Sequence, residues 1–404
     1  MASLAVVAIA VLAGMAMAWA VGANSNSPPF APAVAANALS TMRAAFLIGL
    51  LAGAGAVLQG GSISEAVGTS LITGVTVTPL AAAVALTIAA GSIAAGVKTG
   101  YPMPSAFATT GAVVGVGLGL GGGPAWGKYL EIGLFWLAVG PVAGGVAYAT
   151  ATVLRREDVP EEVGVPLLAA VVGVVVANMR LSLLPGDAGA DTVAGVVSAR
   201  VGGAPGVAGY DLAMALATLG LAAAGFAVMR RATADDPERG IRRFLVGLGA
   251  LVAFSSGGSQ VGLATGPLES LFETELSIPA AVPGDASTVL LALGGLGILA
   301  GAWTGAPRLL QAVAREYSEL GERRSVAALV PGFITAQAAI TLGVPVSFNH
   351  IIISSVIGSG LVVGSAGVSL RKVGVTVAAW LATLVGAAGV GFLLYRGVAF
   401  VVPA

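Results

Sequence analysis

The stretch WAVGANSNSPPFAPAV, from Trp19 to Val34, places four consecutive polar residues and three prolines directly after a long apolar run. A membrane helix satisfies its own backbone, so a break of this kind is tolerated only where it is buried in protein or lines a cavity. A second stretch, FSSGGSQVGLATGPL from Phe254 to Leu268, also follows an apolar run and carries small polar residues, glycines and a proline. We expect each stretch to interrupt a membrane helix.

The regions around these stretches are apolar throughout. Of the 404 residues, 57% are hydrophobic and 9% are charged, whereas a soluble domain carries about a quarter charged residues. Apolar runs of about 17 to 25 residues, long enough to cross a hydrocarbon core of about 30 Å, lie near 1–21, 43–60, 79–97, 103–122, 129–154, 164–180, 210–230, 243–257, 287–305, 327–342, 346–364 and 371–395. They predict an all-α integral membrane protein with about 12 transmembrane helices.

The basic residues indicate an orientation. Suppose that the N-terminus is outside and that successive loops alternate sides. Of the 19 basic residues, all then face inward except Lys128, Arg180, Arg200 and Arg396. Cytoplasmic loops are enriched in Lys and Arg, so this placement puts both termini outside in a multi-pass protein of the cell membrane.

One basic loop also has a helical pattern. Between Arg308 and Arg324 the apolar residues are Leu309, Leu310, Val313 and Tyr317. This spacing is typical of an amphipathic helix. It predicts a surface helix on the inner face of the membrane.

An internal repeat relates the two halves. GYPMPSAFATTGAVVG (Gly100–Gly115) parallels GVPVSFNHIIISSVIG (Gly343–Gly358), and the two interrupted stretches also correspond. We expect a first repeat at 1–154, connecting spans and inner loops at 155–242, and a second repeat at 243–404. The copies begin on opposite sides of the membrane, so they are predicted to be inverted repeats with broken helices and short re-entrant segments. Such paired interruptions indicate a transporter binding site near the midplane.

These four segments resemble the inorganic phosphate transporter family, the sodium- or proton-coupled phosphate permeases. Each half of that family carries a Gly-Ala-Asn-Asp-Val-Ala-Asn signature and a later Gly-Leu-Pro-Val-Ser-Thr-Thr-His segment. Gly22, Ala23 and Asn24 agree with the first signature, and the second copy of the later segment keeps Ser347 and His350. The resemblance implies ion-coupled transport of inorganic phosphate.

The signatures also depart from the family pattern. Ser25 and Gln260 stand where each copy of the family has an aspartate, and Phe107 replaces the histidine of the first later segment. Carboxylates in a membrane interior are costly unless they pair with an ion or a proton. Their loss puts tight sodium binding in doubt, while removal of two negative charges makes the region less repulsive to an anion.

An oxyanion in this region needs hydrogen-bond donors, and freed backbone NH groups at helix starts add to them. The candidate substrate-binding residues are Asn24, Ser25, Asn26, Ser27, Ser105, Ser256, Ser259, Gln260, Ser347 and Asn349. His350, the sole histidine, is the candidate coupling residue because imidazole titrates near neutral pH. For any single serine, the competing interpretation is a packing or inter-helix hydrogen-bond role.

Three classes of protein stay open at this point. The first is a transporter of inorganic phosphate coupled to protons or sodium, and the second transports sulfate or another oxyanion. The third is a non-transporting membrane protein with the same fold. No enzyme constellation, cofactor motif or nucleic-acid signature is present in the sequence, since no acid lies in a span near His350 and the net charge is zero. A homodimer is left open.

Overall fold

The computed structural model describes residues 4–61, 70–181, 184, 191–201, 206–207, 210–274, 285–318 and 320–401. The helices before residue 155 are α1 (Leu4–Asn24), α2 (Ala31–Ala35), α3 (Thr41–Gln59), α4 (Pro79–Thr99), α5 (Ser105–Gly119) and α6 (Trp126–Leu154). They are followed by α7 (Glu161–Asn178), α8 (Val193–Val201) and α9 (Leu212–Ala234). The remaining helices are α10 (Pro237–Thr265), α11 (Glu269–Thr274), α12 (Ala286–Glu316), α13 (Glu322–Thr341), α14 (Phe348–Leu361) and α15 (Leu370–Val401).

The other regular elements are short. Three 3₁₀-helices cover Pro28–Phe30, Gly266–Leu268 and Ser365–Gly367. Two antiparallel pairs of two-residue strands join β1 (Ile72–Thr73) to β2 (Gly123–Pro124), and β3 (Gly206–Val207) to β4 (Tyr210–Asp211). These pairs lie between helices and form no larger sheet within the described residues.

The all-α membrane fold is confirmed, and every predicted apolar run coincides with a helix. Eight helical segments of the described chain are long and apolar enough to cross a membrane. Four predicted spans fall on other helices, of which α7 has 18 residues and α13 has 20. The shortest two are α5 with 15 residues and α14 with 14. At a rise of about 1.5 Å per residue they extend only about 20 Å, less than the hydrocarbon thickness. They are therefore the returning arms of re-entrant hairpins, α4/α5 and α13/α14.

The two hairpins enter from opposite ends of the protein. At the start of α6, the Tyr129 hydroxyl donates to the Leu71 carbonyl, close to the base of the α4/α5 hairpin, with an O–O distance of 2.7 Å. At the end of α6, Arg323 at the base of α13/α14 donates to the Leu154 carbonyl at 3.2 Å. The α6 helix has 29 residues and so separates the two bases by about 40 Å. This is the arrangement that inverted repeats produce.

Reciprocal close contacts relate the copies. A Cβ atom on Gly22 of α1 would lie 2.0 Å from the Ile298 carbonyl oxygen of α12, and one on Gly257 of α10 would lie 1.9 Å from the Ala52 oxygen of α3. In the same way, a Cβ atom on Gly115 of α5 would lie 2.0 Å from the Ala388 carbonyl oxygen of α15, and one on Gly358 of α14 would lie 1.9 Å from the Gly144 oxygen of α6. Each close crossing in one half thus has its counterpart in the other, as a two-fold relation requires.

The second interruption lies within the predicted stretch, but after Gly257 rather than at it. The α10 helix is continuous from Pro237 to Thr265 and changes to a 3₁₀-helix only at Gly266–Leu268. In the first copy, α1 ends at Asn24 because prolines at 28 and 29 remove backbone donors. The second copy has no proline before Pro267, and the glycines of α10 allow close helix packing instead of breaking the helix.

The separate surface helix predicted after Arg308 is also wrong. These residues continue α12, which runs unbroken to Glu316. Leu309, Leu310, Val313 and Tyr317 are fully buried in the protein. The helical spacing was correct, but the apolar face packs against the rest of the bundle rather than lying on lipid.

Basic residues gather at one end of the bundle, which we call the basic end: the end of α12 and the starts of α10, α13 and α15. Ion pairs join these elements, with Arg242 Nε 2.6 Å from a Glu322 oxygen and Lys372 Nζ 2.6 Å from a Glu316 oxygen. This clustering follows the loop assignment made from the sequence, and the positive-inside rule predicts that the basic end faces the cytoplasm.

Cysteine labelling tests that orientation, since the chain has no cysteine of its own. We expect Ala234→Cys, exposed at the end of α9, to resist an impermeant maleimide in intact cells and to react after permeabilisation. Gly127→Cys, exposed at the opposite end, is the matched control and is expected to react in intact cells. Labelling with the reverse pattern would show that the basic end faces outside.

Candidate functional site

Asn24 joins the break after α1 to the tips of both hairpins. The first tip is residues 100–104, between α4 and α5, and the second is residues 342–347, between α13 and α14. Its side-chain oxygen accepts hydrogen bonds from the Met103 backbone NH at 3.0 Å and from the Asn349 amide at 2.7 Å. Its own amide donates to the Tyr101 carbonyl at 3.3 Å. Asn24 and Asn349 are both fully buried. A residue at the end of α1 therefore holds the first tip directly and the second through Asn349.

Gln260 makes the corresponding connection from α10. Its side-chain oxygen accepts from the Ser105 hydroxyl at 2.5 Å, and its amide donates to the Val346 carbonyl at 2.8 Å. The same amide lies 3.2 Å from the Ser259 hydroxyl oxygen. Ser105 begins the returning arm of the first hairpin, and Val346 lies in the tip of the second. The two positions where the family signature has an aspartate thus lie at these contacts or next to them: Gln260 makes them itself, and Ser25 follows Asn24.

Two tryptophan side chains also hydrogen-bond to the backbone of the tips, and we call them the tryptophan tethers. Trp136 Nε1 on α6 donates to the Pro345 carbonyl, and Trp380 Nε1 on α15 donates to the Pro102 carbonyl, each at 2.8 Å. The two pairs occupy equivalent places in the two copies. Sequence reasoning missed both residues, although a tryptophan at the same place in each repeat was a detectable signal.

Several buried polar atoms in this region have no hydrogen-bond partner in the structure. They are Ser25 Oγ, both side-chain polar atoms of Asn26, Ser347 Oγ and Asn349 Oδ1. All four residues are fully buried. An unsatisfied buried polar atom costs about 1–3 kcal/mol, so a group of them beside the Asn24–Asn349 bond indicates a place that a polar ligand completes.

Helix starts add further donors. The α5 and α14 helices begin in this region, and neither has a side-chain cap on its first backbone NH groups. Free NH groups and the positive end of the helix dipole both favour an anion. No Asp, Glu, Lys or Arg side chain is buried among the residues whose burial is described. The described side chains thus offer a neutral, donor-rich site, which we call the central site.

The remaining predicted residues are less available. The hydroxyls of Ser27 and Ser256 donate to carbonyls of their own segments, at Ala23 and Ala253, each at 3.0 Å. Their protons are therefore committed to the backbone, which is the packing role considered from the sequence. Ser259 is engaged by Gln260. Ser105 donates its proton to Gln260, so it is no free donor either. Ser259 only accepts from the Gln260 amide, and its hydroxyl proton stays available.

His350, in the first turn of α14, belongs to an aromatic cluster with Phe107, Trp136 and Trp380. Its ring centroid is 5.0 Å from that of Trp380 and 6.1 Å from that of Phe107. Phe107 in turn stacks on Trp136 at 3.9 Å. His350 Nδ1 has no hydrogen-bond partner. The predicted coupling residue is thus one position along the chain from Asn349, packs against Trp380 and reaches Trp136 only through Phe107.

Two inverted copies, two opposed hairpins and a neutral polar site where their tips meet are the architecture of a secondary transporter. A family model described as "Phosphate transporter family" matches residues 21–391. The chain belongs to that family, and the resemblance seen in the sequence is confirmed.

Individual relatives extend over nearly the whole chain. A protein of Pyrococcus furiosus called "Putative phosphate permease" is 26% identical over 96% of this chain and 95% of its own length. The "Inorganic phosphate transporter 2-1, chloroplastic" of Arabidopsis thaliana is 25% identical over 92% of this chain and 69% of its own length. A solved structure titled "The sodium-dependent phosphate transporter" shares the fold, with a TM-score of 0.78, 21% identity, and coverage of 99% of this chain and all of the other.

Proposed function

We propose that this chain is an ion-coupled secondary transporter that moves inorganic phosphate across the cell membrane. The observation that carries the proposal is the central site, where unpartnered Ser25, Asn26, Ser347 and Asn349 atoms lie near two uncapped helix starts. A phosphate held there would accept hydrogen bonds from amides, hydroxyls and backbone NH groups. Family membership supports the same substrate.

The acceptors in the central site favour phosphate over sulfate. At neutral pH a phosphate anion retains at least one hydroxyl and can donate a hydrogen bond, whereas sulfate only accepts. Asn26 Oδ1 and Asn349 Oδ1 are buried acceptors without a donor. Phosphate can satisfy one of them, while sulfate leaves both unpaired. A site built to pair with a substrate hydroxyl rejects an analogue without it far more strongly than size alone allows.

Transport toward either end requires the tips to move. Asn24 and Gln260 each bond to both hairpins, which enter from opposite ends. The bonds to the first hairpin are at Met103 and Ser105, and those to the second are at Asn349 and Val346. We propose that breaking one set of these bonds opens the central site to one side while the other set keeps the opposite side closed. The anion would replace some of the broken hydrogen bonds.

The proposal is tested by uptake of radiolabelled phosphate into proteoliposomes that contain the purified protein. We expect saturable uptake that unlabelled phosphate competes with and an equal concentration of sulfate barely reduces. Protein-free liposomes are the control. Equal uptake of both anions would favour the broader oxyanion transporter, and no uptake of either would support a non-transporting protein on this fold.

Sodium dependence is expected to be weak. Ser25 and Gln260 replace the aspartates of the family signature, and the described part of the chain buries no carboxylate that could hold a cation tightly. Replacing external sodium with potassium at fixed pH should change phosphate uptake little.

Because His350 is the one imidazole, His350→Gln should flatten the pH dependence of uptake. Uptake that saturates with millimolar sodium and ignores the His350 change would show that neutral oxygens suffice to hold the ion.

A further inference from the structure

A second polar cavity lies at the basic end, away from the central site. Its volume is about 540 Å³, and it opens between α2, the end of α12 and the start of α13. Arg315, Arg324, Ser318 and Asn37 line it, together with Gly321 at the start of α13. We call it the basic-end pocket.

The two arginines have no acidic partner among the residues described. The two neighbouring acids that the structure describes pair elsewhere, since Glu316 binds Lys372 and Glu322 binds Arg242, each at 2.6 Å. Arg315 and Arg324 thus bring two unneutralised positive charges to one cavity. Like charges at close range are unfavourable until an anion lies between them.

Other lining groups are donors as well. Ser318 is only 4% exposed, and its Oγ has no hydrogen-bond partner. The α13 helix has 20 residues and begins after Gly321, which supplies no side-chain cap. Its first backbone NH groups and the positive end of its dipole therefore lie beside the arginines. The uncapped helix start and the two guanidinium groups therefore offer the cavity the donors and positive charge that suit a phosphate dianion.

The pocket is connected along the chain to the central site. Val34 and Ala35 of α2 line it, and α2 follows directly from the break that contains Ser25 and Asn26. We propose that the basic-end pocket is a second phosphate site, which receives the substrate as it leaves the central site toward the basic end. This inference rests on the proposed function and adds a release site to it.

Equilibrium binding of radiolabelled phosphate tests the pocket, using the full chain in neutral phosphatidylcholine nanodiscs. We expect two bound phosphates per chain, one of which weakens as sodium chloride is raised because exposed charges are screened. The double variant Arg315→Gln/Arg324→Gln should weaken the salt-sensitive site about tenfold or more and leave the other unchanged. Arg231→Gln, an exposed arginine elsewhere at this end, is the matched control, and Arg315→Lys/Arg324→Lys should restore part of the binding.

The outcomes separate the two proposals. If the double glutamine variant keeps both phosphates, the basic-end pocket is wrong and the central site stands. If Asn24→Ala leaves both unchanged, the central site is wrong instead. A salt-sensitive site that disappears when the nanodiscs contain phosphatidylglycerol would show that a lipid headgroup occupies the pocket, which would overturn its assignment to phosphate release.

Discussion

Replacing Asn24 with alanine is expected to abolish measurable phosphate uptake, with phosphate affinity falling about 100-fold. The change removes the acceptor of the Met103 NH and of the Asn349 amide, and the donor to the Tyr101 carbonyl. These groups are then left unpaired in the buried centre, and both tips lose the contact that places them around the anion. Binding and uptake are measured on the same purified protein.

A matched control separates this effect from general destabilisation. Asn178→Ala also removes an asparagine amide that bonds within the helix and to a threonine on a neighbouring helix, but at an exposed position far along the chain from the tips. We expect it to leave phosphate affinity unchanged. If folded Asn24→Ala protein bound phosphate as tightly as the wild type, Asn24 would not be part of the phosphate site.

The second large effect is on folding. Gly257→Ala is expected to reduce the yield of monodisperse protein severely, because the new methyl group would lie 1.9 Å from the Ala52 carbonyl oxygen of α3. The contact is with backbone, so the helices must separate, and overpacking of this kind costs about 1–3 kcal/mol or more. Thermal unfolding of whatever protein is recovered should occur at a clearly lower temperature than in the wild type.

The same helix provides the control. Gly247 of α10 has open space where a Cβ would lie, and alanine there is expected to be neutral or stabilising, since alanine is favoured over glycine in a helix by about 1 kcal/mol. If Gly257→Ala and Gly247→Ala gave equal yields and unfolding temperatures, the close crossing of α10 and α3 would be wrong.

The fold was predictable where a single physical requirement dominates. Continuous apolar runs must be helical in lipid, and their positions along the chain were therefore correct. The paired segments at Gly100 and Gly343 indicated the repeat because the same local structure is needed twice. The length of each hairpin arm was not predictable, since glycine-rich apolar sequence continues past the ends of both α5 and α14.

The central site was predictable in part. Asn24 and Gln260 were identified from their place in the two signatures, and the structure shows both bonded to the tips. Their partners were not predictable, because Ser105 and Gln260 are 155 residues apart and no local pattern pairs them. Gly257 was misinterpreted as a helix break, since glycine signals equally a flexible backbone and a close helix contact.

Locating the bound anion tests the central site most directly. Arsenate has nearly the shape and protonation of phosphate, and its arsenic atom can be identified by anomalous scattering in crystals grown with it. We expect an anomalous peak in the central site, within hydrogen-bonding distance of Asn26 and Ser347 and facing the starts of α5 and α14. A central site that stays empty, with peaks only on surface arginines, would contradict this expectation.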